Sequence, residues 1–134
     1  MRRVWVVALA CIALAGCSNR NAPQTRAGHT GDVQVTASAG GVQAVTIDGG
    51  DNMRFDPSTF HVHPGKVKVT LDVTGTTPHE LSFTKSITAA IPLTMHGQRA
   101  SIEFTVTKPG RYPFVCQLHE REGMTGTMIV DPAR

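Results

Sequence analysis

The residues Lys66-Val67-Lys68-Val69-Thr70-Leu71-Asp72-Val73 alternate strictly between polar and apolar side chains. Successive side chains of a β-strand point to opposite faces, so this stretch predicts a strand with one buried and one solvated face. The alternation recurs at Ile102, Phe104 and Val106. No stretch carries a helical stripe with caps at both ends, although residues 84–93 are compatible with one short helical turn.

The remainder of the chain after residue 31 contains shorter runs of the same kind. Turn sequences such as Asp48-Gly49-Gly50-Asp51 and Pro109-Gly110 separate them. Seven or eight short strands in a domain of this size predict an all-β, Greek-key β-sandwich. The further candidate strands are residues 33–36, 42–47, 53–55, 60–63, 80–84, 111–115 and 125–130.

The N-terminus is typical of a bacterial secretory signal. Two arginines precede an apolar run, residues 4–14, that is too short to cross a bilayer, which takes about 20 residues. The run ends in Leu14-Ala15-Gly16-Cys17, which resembles the bacterial lipobox and predicts acylation of Cys17. Ordinary cleavage after Ala15 is the alternative, because Ala13-Leu14-Ala15 is also a small-x-small site.

This interpretation divides the chain into three parts. Residues 1–16 are expected to be a lipoprotein signal peptide, residues 17–31 a flexible tether poor in large apolar side chains, and residues 32–134 the folded domain. The protein would be exported and held by its lipid at the outer face of the cell membrane, or in the periplasm. Loss of the two signal arginines lowers the formal net charge from +3 to +1. No basic run remains, so we expect no nucleic-acid partner.

Cysteine usage points to a bound or buried thiol near the C-terminus. Of the three cysteines, Cys11 would leave with the signal peptide and Cys17 would carry the lipid. Cys116 is then the one thiol left in an exported domain, without a disulfide partner.

The stretch that follows this thiol contains other soft ligands. Cys116, His119 and Met124 place a thiolate, an imidazole and a thioether within nine residues. This donor set favours copper, whereas zinc rarely takes methionine and a hard cation prefers oxygen. A trigonal copper site needs a second imidazole, and His79 stands after Pro78 at the start of a predicted strand.

The pattern Cys116-x₂-His119-x₄-Met124 with an upstream Pro78-His79 resembles the cupredoxins, in particular the plastocyanin-like and pseudoazurin-like carriers. The resemblance spans roughly residues 53–130 and includes Pro109-Gly110 and Gly123-Met124-x-Gly126 of the family's closing hairpin. It implies a type 1 blue copper site. The metal ligands that it implies, for one copper ion cycling between Cu(I) and Cu(II), are His79, Cys116, His119 and Met124.

The resemblance also implies a function. The expected protein is a monomeric electron carrier, not an enzyme, that passes one electron to an exported or membrane-bound redox partner through the exposed edge of His119. A role in copper trafficking or resistance is the alternative. A copper enzyme is less consistent with one domain that lacks a second histidine-rich copper site.

Some residues are left open by the sequence. Glu80 follows the first ligand, where many relatives carry an asparagine that ties the two ligand loops together, so the reduction potential and colour of the site are undetermined. His61 and His63 share one face of a strand, and a solvated edge is favoured there over a second metal site. Met95 and His96 either line or cover the copper end of the domain.

Replacement of Cys17 by Ser should remove lipidation and shift the protein out of the membrane fraction, because residues 4–14 cannot span the bilayer unaided. Fractionation should be combined with a measurement of processing, since the variant is expected to accumulate as a precursor. Maturation of the parent protein that resists globomycin would contradict the lipobox interpretation.

Overall fold

A computed structural model of the chain describes residues 31–133, and this part folds into ten β-strands. Within it, no helix is long and apolar enough to cross a bilayer. The strands are β1 Asp32–Gln34, β2 Val42–Gly49, β3 Phe55–Asp56, β4 Thr59–Val62, β5 Gly65–Val73, β6 His79–Phe83, β7 Ala90–Thr94, β8 Arg99–Val106, β9 Gly110–Val115 and β10 Thr125–Val130.

The strands form two mixed sheets. One sheet has the order β1-β4-β10-β9-β6-β7 and the other has the order β3-β2-β5-β8. Strand β4 runs parallel to both β1 and β10, and β2 runs parallel to β5, while the remaining pairs are antiparallel. The predicted β-sandwich is thereby confirmed.

The core lies between the sheets and follows the alternation seen in the sequence. On β5, Val67, Val69, Leu71 and Val73 are fully buried, while Lys66 and Lys68 on the other face are exposed. From the opposite sheet, the Phe114 ring meets the rings of three other phenylalanines at centroid distances of 5.2, 5.9 and 5.6 Å. Aromatic pairs in such tilted geometry add about 0.5–1.5 kcal/mol each beyond their burial, so β9 is firmly held in the core.

The number of strands exceeds the predicted seven or eight, because two of the candidate strands are retained as very short elements and one strand, β7, was not predicted. Strands β1 and β3 are only 3 and 2 residues long, and β3 starts at Phe55, not at the predicted residue 53. Strand β7 lies in the stretch for which a helical turn was considered, and it ends the six-stranded sheet. Its edge position accommodates Pro92, which cannot donate to a strand ladder.

His61 joins three elements of the larger sheet. Its Nδ1 lies 3.0 Å from the Asp131 carboxylate after β10, and its Nε2 lies 3.0 Å from Asp32 at the start of β1. Burial lowers the pKa of His61, but hydrogen bonds and attraction from the two carboxylates outweigh it and raise the pKa above 6.5. In the described part of the chain, neither His61 nor His63 belongs to a cluster of three metal-ligating groups. His61 therefore connects β1, β4 and the end of β10 through polar contacts, and it is not simply a solvated edge residue.

The predicted signal peptide, Cys17 and all of the tether except Gly31 lie outside the described residues. The described part begins in contact with the sheet, because the Gly31 carbonyl accepts a hydrogen bond from the Thr59 amide at 3.4 Å.

Candidate metal centre

Three strand ends meet at one pole of the sandwich. In the antiparallel β6–β9 pair, Ser82 lies opposite Val115, so the start of β6 lies beside the end of β9. In the β9–β10 pair, Val115 lies opposite Thr125. This register brings His79, Cys116 and Met124 to the same pole. In the sequence, His79 is far from the other two, and a loop separates Cys116 from Met124.

The segment from Cys116 to Met124, called here the ligand loop, is closed by its own main chain. The Cys116 amide donates to the Met124 carbonyl at 3.0 Å, which extends the pairing of the two strands by one step. Within the loop, the His119 amide donates to the Cys116 carbonyl at 3.0 Å, and the Met124 amide donates to the His119 carbonyl at 3.1 Å. The tight turn presents the His119 ring toward the thiol.

Three potential ligand atoms converge inside this loop. His79 Nδ1 and His119 Nδ1 are 3.2 Å apart, and Cys116 Sγ lies 3.4 Å from His119 Nδ1. All three atoms lie within 4.8 Å of one another. His79 and Cys116 are fully buried, whereas His119 is partly exposed. The sequence-predicted residues His79, Cys116 and His119 are thus brought together.

Met124, the fourth predicted ligand, is also fully buried. Its main chain bonds to both Cys116 and His119, so the residue adjoins the cluster. Cys116 is a free thiol, without a disulfide partner among the described residues.

The His79 ring is oriented by a turn on the other sheet. Its Nε2 lies 3.1 Å from the Gly50 carbonyl oxygen, which carries no proton, so Nε2 is the N–H donor. In the neutral imidazole, Nδ1 is then the unprotonated nitrogen and faces the other two groups. The ring packs tightly on Gly49, where a Cβ would come within 2.9 Å of the His79 Cδ2.

The electrostatic environment favours the neutral form of His79. Burial lowers the pKa of His79, and repulsion from the neighbouring His119 lowers it further. A neutral imidazole is the form that binds a metal.

A family model described as a cupredoxin-like domain matches residues 6–130 of the chain. The chain belongs to the cupredoxin family. It is 32% identical over 92 residues to plastocyanin A/B of Petroselinum crispum, which covers 63% of this chain and 92% of that protein.

Solved structures of two other proteins share the fold. The dithionite-reduced auracyanin of Roseiflexus castenholzii superposes with a TM-score of 0.62 at 25% identity, covering 72% of this chain and all of that one. The metal-binding domain of the Streptococcus pneumoniae Cu(I)-exporting P-type ATPase CopA gives a TM-score of 0.63 at 20% identity, with 78% and 99% covered. The latter likeness concerns the fold alone.

The three converging residues of this cupredoxin fit a copper ion. First-row metals lie about 2.0–2.1 Å from imidazole nitrogen and about 2.3 Å from thiolate sulfur, so two such nitrogens sharing an ion are at most about 4.2 Å apart. The nitrogen–nitrogen distance of 3.2 Å meets this condition. The nitrogen–sulfur distance of 3.4 Å is likewise below the corresponding limit of about 4.4 Å for a nitrogen and a sulfur that share an ion. Two imidazoles and a thiolate next to a buried methionine form the donor set that copper favours. Family membership and this cluster together support copper-binding electron transfer.

Glu80, which follows the first histidine, connects the two segments that carry the candidate ligands. The Glu80 carboxylate accepts a hydrogen bond from the Gln117 amide at 3.0 Å. Because Glu80 follows His79 and Gln117 follows Cys116, this bond ties the two segments together. It does so with a carboxylate, which places a negative charge beside the site.

His96 supports the loop that leads to His79. Its Nδ1 lies 2.6 Å from the Gly75 carbonyl oxygen and therefore donates to it. Two apolar side chains at this end are about half exposed: Met95, next to His96, at 51%, and Leu118 of the ligand loop at 54%. His96 is not part of the cluster of potential ligands in the described residues.

Asp51, which sequence reasoning treated only as a turn residue, has a structural role at the pole. Its carboxylate accepts hydrogen bonds from the backbone amides of Thr76 and Thr77, each at 2.9 Å. These backbone bonds, the Thr76 bond foremost, lower the pKa of Asp51 from 3.8 to about 2. The bonds hold the segment before His79 against the turn that contains Gly50. An Asp followed by glycine-rich neighbours is too common in turns to have identified this role from sequence.

Replacement of Asp51 by Asn should lower the thermal midpoint of the copper-free protein by a few degrees at pH 7. Since the folded pKa of Asp51 is about 2 and the unfolded value is 3.8, its stabilising effect is present above pH 4 and is lost as the pH falls through 2. The difference between parent and variant should therefore shrink on acidification. Thermal unfolding followed by circular dichroism at several pH values measures it.

Glu120→Gln is the matched control, because the Glu120 side chain is exposed and makes no hydrogen bond within residues 31–133. It should unfold like the parent. A constant difference between the parent and Asp51→Asn from pH 7 to pH 2 would contradict the assigned role.

Proposed function

We propose that this cupredoxin is a one-electron carrier that holds a single type 1 copper ion through His79, Cys116 and His119, with Met124 as a weak axial ligand. The observation that carries the proposal is the convergence of two imidazole nitrogens and a thiol sulfur within 4.8 Å at a buried pole. Copper, when bound, supplies a reversible one-electron couple between Cu(I) and Cu(II).

The chain's own contribution is to hold the ligands still. His79 is fastened by Gly50 and packed on Gly49, and Cys116 is fastened to Met124 by the main-chain bond at 3.0 Å. A site whose ligands are fixed by strand ends changes its geometry little when its charge changes. Small rearrangement favours fast electron transfer, since little reorganisation is needed at the moment of transfer.

Burial of the ligands favours transfer of electrons over transfer of the ion. His79, Cys116 and Met124 each have 0% exposure, so a partner chain has no access to these side chains for ligand exchange. His119 alone reaches the surface, and an electron requires only this edge. Copper trafficking is therefore the second candidate function. We also propose a carrier and not an enzyme, because four protein ligands on the metal would leave no open position for a substrate.

The surface around His119 supports a brief encounter with a redox protein. Leu118 and Met95, both about half exposed, offer apolar contact near the pole. Charged side chains of the ligand loop, Glu120 to Glu122, surround this area and would steer approach. A small interface of this kind suits a transient electron-transfer complex.

We also propose that Cys17 carries lipid and that residues 17–31 tether the domain outside the membrane. The support is the lipobox-like sequence Leu14-Ala15-Gly16-Cys17. Such an anchor would keep the carrier close to membrane-bound partners and would raise its effective concentration there.

Replacement of Cys116 by Ser should abolish the visible charge-transfer band of the copper-loaded protein, because that absorption requires a thiolate on copper. The β-sandwich should remain folded, since its core does not depend on the metal. Absorption and electron paramagnetic resonance spectra of copper-loaded parent and variant test this. His96→Gln, which removes an imidazole at the same pole outside the cluster, should keep the band, and a band that survives in Cys116→Ser would refute the site.

Replacement of Met124 by Gln should lower the reduction potential while copper stays bound, because a harder oxygen donor favours Cu(II). We expect a decrease of roughly 60–120 mV, which is a ten- to hundred-fold change in the one-electron equilibrium. Voltammetry measures the shift. Met128→Leu, a change at a buried methionine of β10, should leave the potential near that of the parent.

Thermal unfolding of the Met124→Gln variant distinguishes ligation from packing. If Met124 serves only to fill the core, the variant should lose about 1–3 kcal/mol of stability at an unchanged potential. That result would exclude the axial assignment.

A further inference from the structure

The turn between β2 and β3 contacts both of the segments that carry the proposed ligands. We call residues 49–54 the anchor turn. On one side, its Gly50 carbonyl holds the His79 ring, and its Asp51 carboxylate binds the amides before His79. On the other side, Arg54 reaches the ligand loop.

Arg54 makes two hydrogen bonds through a single guanidinium nitrogen. Its Nη1 donates to the Glu122 carbonyl at 2.5 Å and to the Met53 carbonyl at 2.7 Å. The base of the side chain is also fixed, because the Arg54 amide donates to the Asn52 side chain at 3.1 Å. The guanidinium is therefore held between the anchor turn and the ligand loop, 68 residues further along the chain.

The contact falls where the ligand loop must change direction. Gly123 has a φ of +88°, and a Cβ at that position would lie 3.3 Å from Arg54 Nη1. The left-handed conformation favours glycine, and the guanidinium packs directly over it. The next residue is Met124, which enters β10.

The Glu122 carbonyl depends on Arg54 for its hydrogen bond. The other turns of the ligand loop are closed by main-chain bonds, including Gly123 to Glu120 at 2.9 Å. No backbone amide in residues 31–133 donates to the Glu122 carbonyl outside the strand ladders. A charged donor to a carbonyl forms a stronger hydrogen bond than a neutral one.

We propose that Arg54 is a positioning residue that holds the end of the ligand loop in its metal-binding shape before the metal arrives. Through it, the turn that orients His79 also orients the segment entering Met124. The inference rests on the proposed function, because the loop is taken to be the copper-binding loop. Arg54 is exposed, so its removal should loosen the loop locally and leave the sandwich intact.

The test compares three variants of the full chain. Arg54→Gln is too short to reach Glu122, Arg54→Lys keeps a charged donor, and Arg121→Gln removes a cation from the ligand loop itself. Arg121 is the matched control because its side chain makes no hydrogen bond or ion pair in the part of the chain that the structure describes. Two quantities are measured: hydrogen exchange of the Gly123 and Met124 amides without copper, and the rate of copper dissociation into a chelator.

In Arg54→Gln, both amide exchange and copper dissociation should be about tenfold faster, in line with the effect of residues that support metal ligands. Arg54→Lys should fall close to the parent, and Arg121→Gln should match the parent, with thermal midpoints unchanged throughout. Equal exchange and equal dissociation in Arg54→Gln and Arg121→Gln would overturn the proposal.

The proposed function and the positioning role of Arg54 are tested by separate measurements. A parent protein that forms no thiolate charge-transfer band with copper would refute the proposed function. The exchange measurement on the copper-free protein would still decide whether Arg54 positions the loop, because it involves no metal.

Discussion

The hydrogen bond from the Cys116 amide to the Met124 carbonyl, 3.0 Å long, continues the β9–β10 pairing past the last strand pair. The position of Cys116, His119 and Met124 in the candidate metal centre depends on this closure. It brings the two ends of the ligand loop together and leaves the intervening residues to turn His119 inward. Strand β9, which leads to Cys116, is held in the core by Phe114, whose ring packs against three other phenylalanine rings. A loop mounted on so rigid a base can present ligands without needing a metal to shape it.

The opposite sheet supplies the remaining ligand support. Gly49 ends β2, and the absence of a side chain there allows the His79 ring to lie on the backbone while its Nε2 donates to Gly50. The second nitrogen is thereby set toward His119 and Cys116. Burial lowers the pKa of His79 and so favours the neutral ring, in which this nitrogen is free to bind a metal.

Charged side chains flank the ligand loop at both of its ends. Glu80 accepts the amide of Gln117 just after Cys116, and Arg54 donates to the carbonyl of Glu122 just before Gly123. The two charges have opposite signs, so in the proposed copper site the Glu80 charge would favour Cu(II) and the Arg54 charge would favour Cu(I). Peripheral charges of this kind can alter the potential of a metal site without any change of ligand.

The sequence alone determined the elements that are local. Alternation in residues 66–73 predicted a strand and its buried face, and the spacing of Cys116, His119 and Met124 identified the ligand loop and the family. These signals are readable because strand periodicity and a nine-residue loop depend only on neighbours in the chain. The signal peptide and the lipid at Cys17 remain sequence predictions.

The tertiary structure decided everything that depends on strand order. Gly50 meets His79 across 29 residues, Glu80 meets Gln117 across 37, and Arg54 meets Glu122 across 68. Each of these contacts joins segments that become neighbours only after the sheets have formed, so no local pattern marks them. Edge strand β7 was not predicted for a related reason. Its sequence, which includes Pro92, has a weak local preference for a strand, and pairing with β6 outweighs that weakness in the folded protein. The candidate ligands Cys116, His119 and Met124 could thus be predicted from local sequence, whereas the orientation of their side chains toward His79 is a property of the folded sandwich.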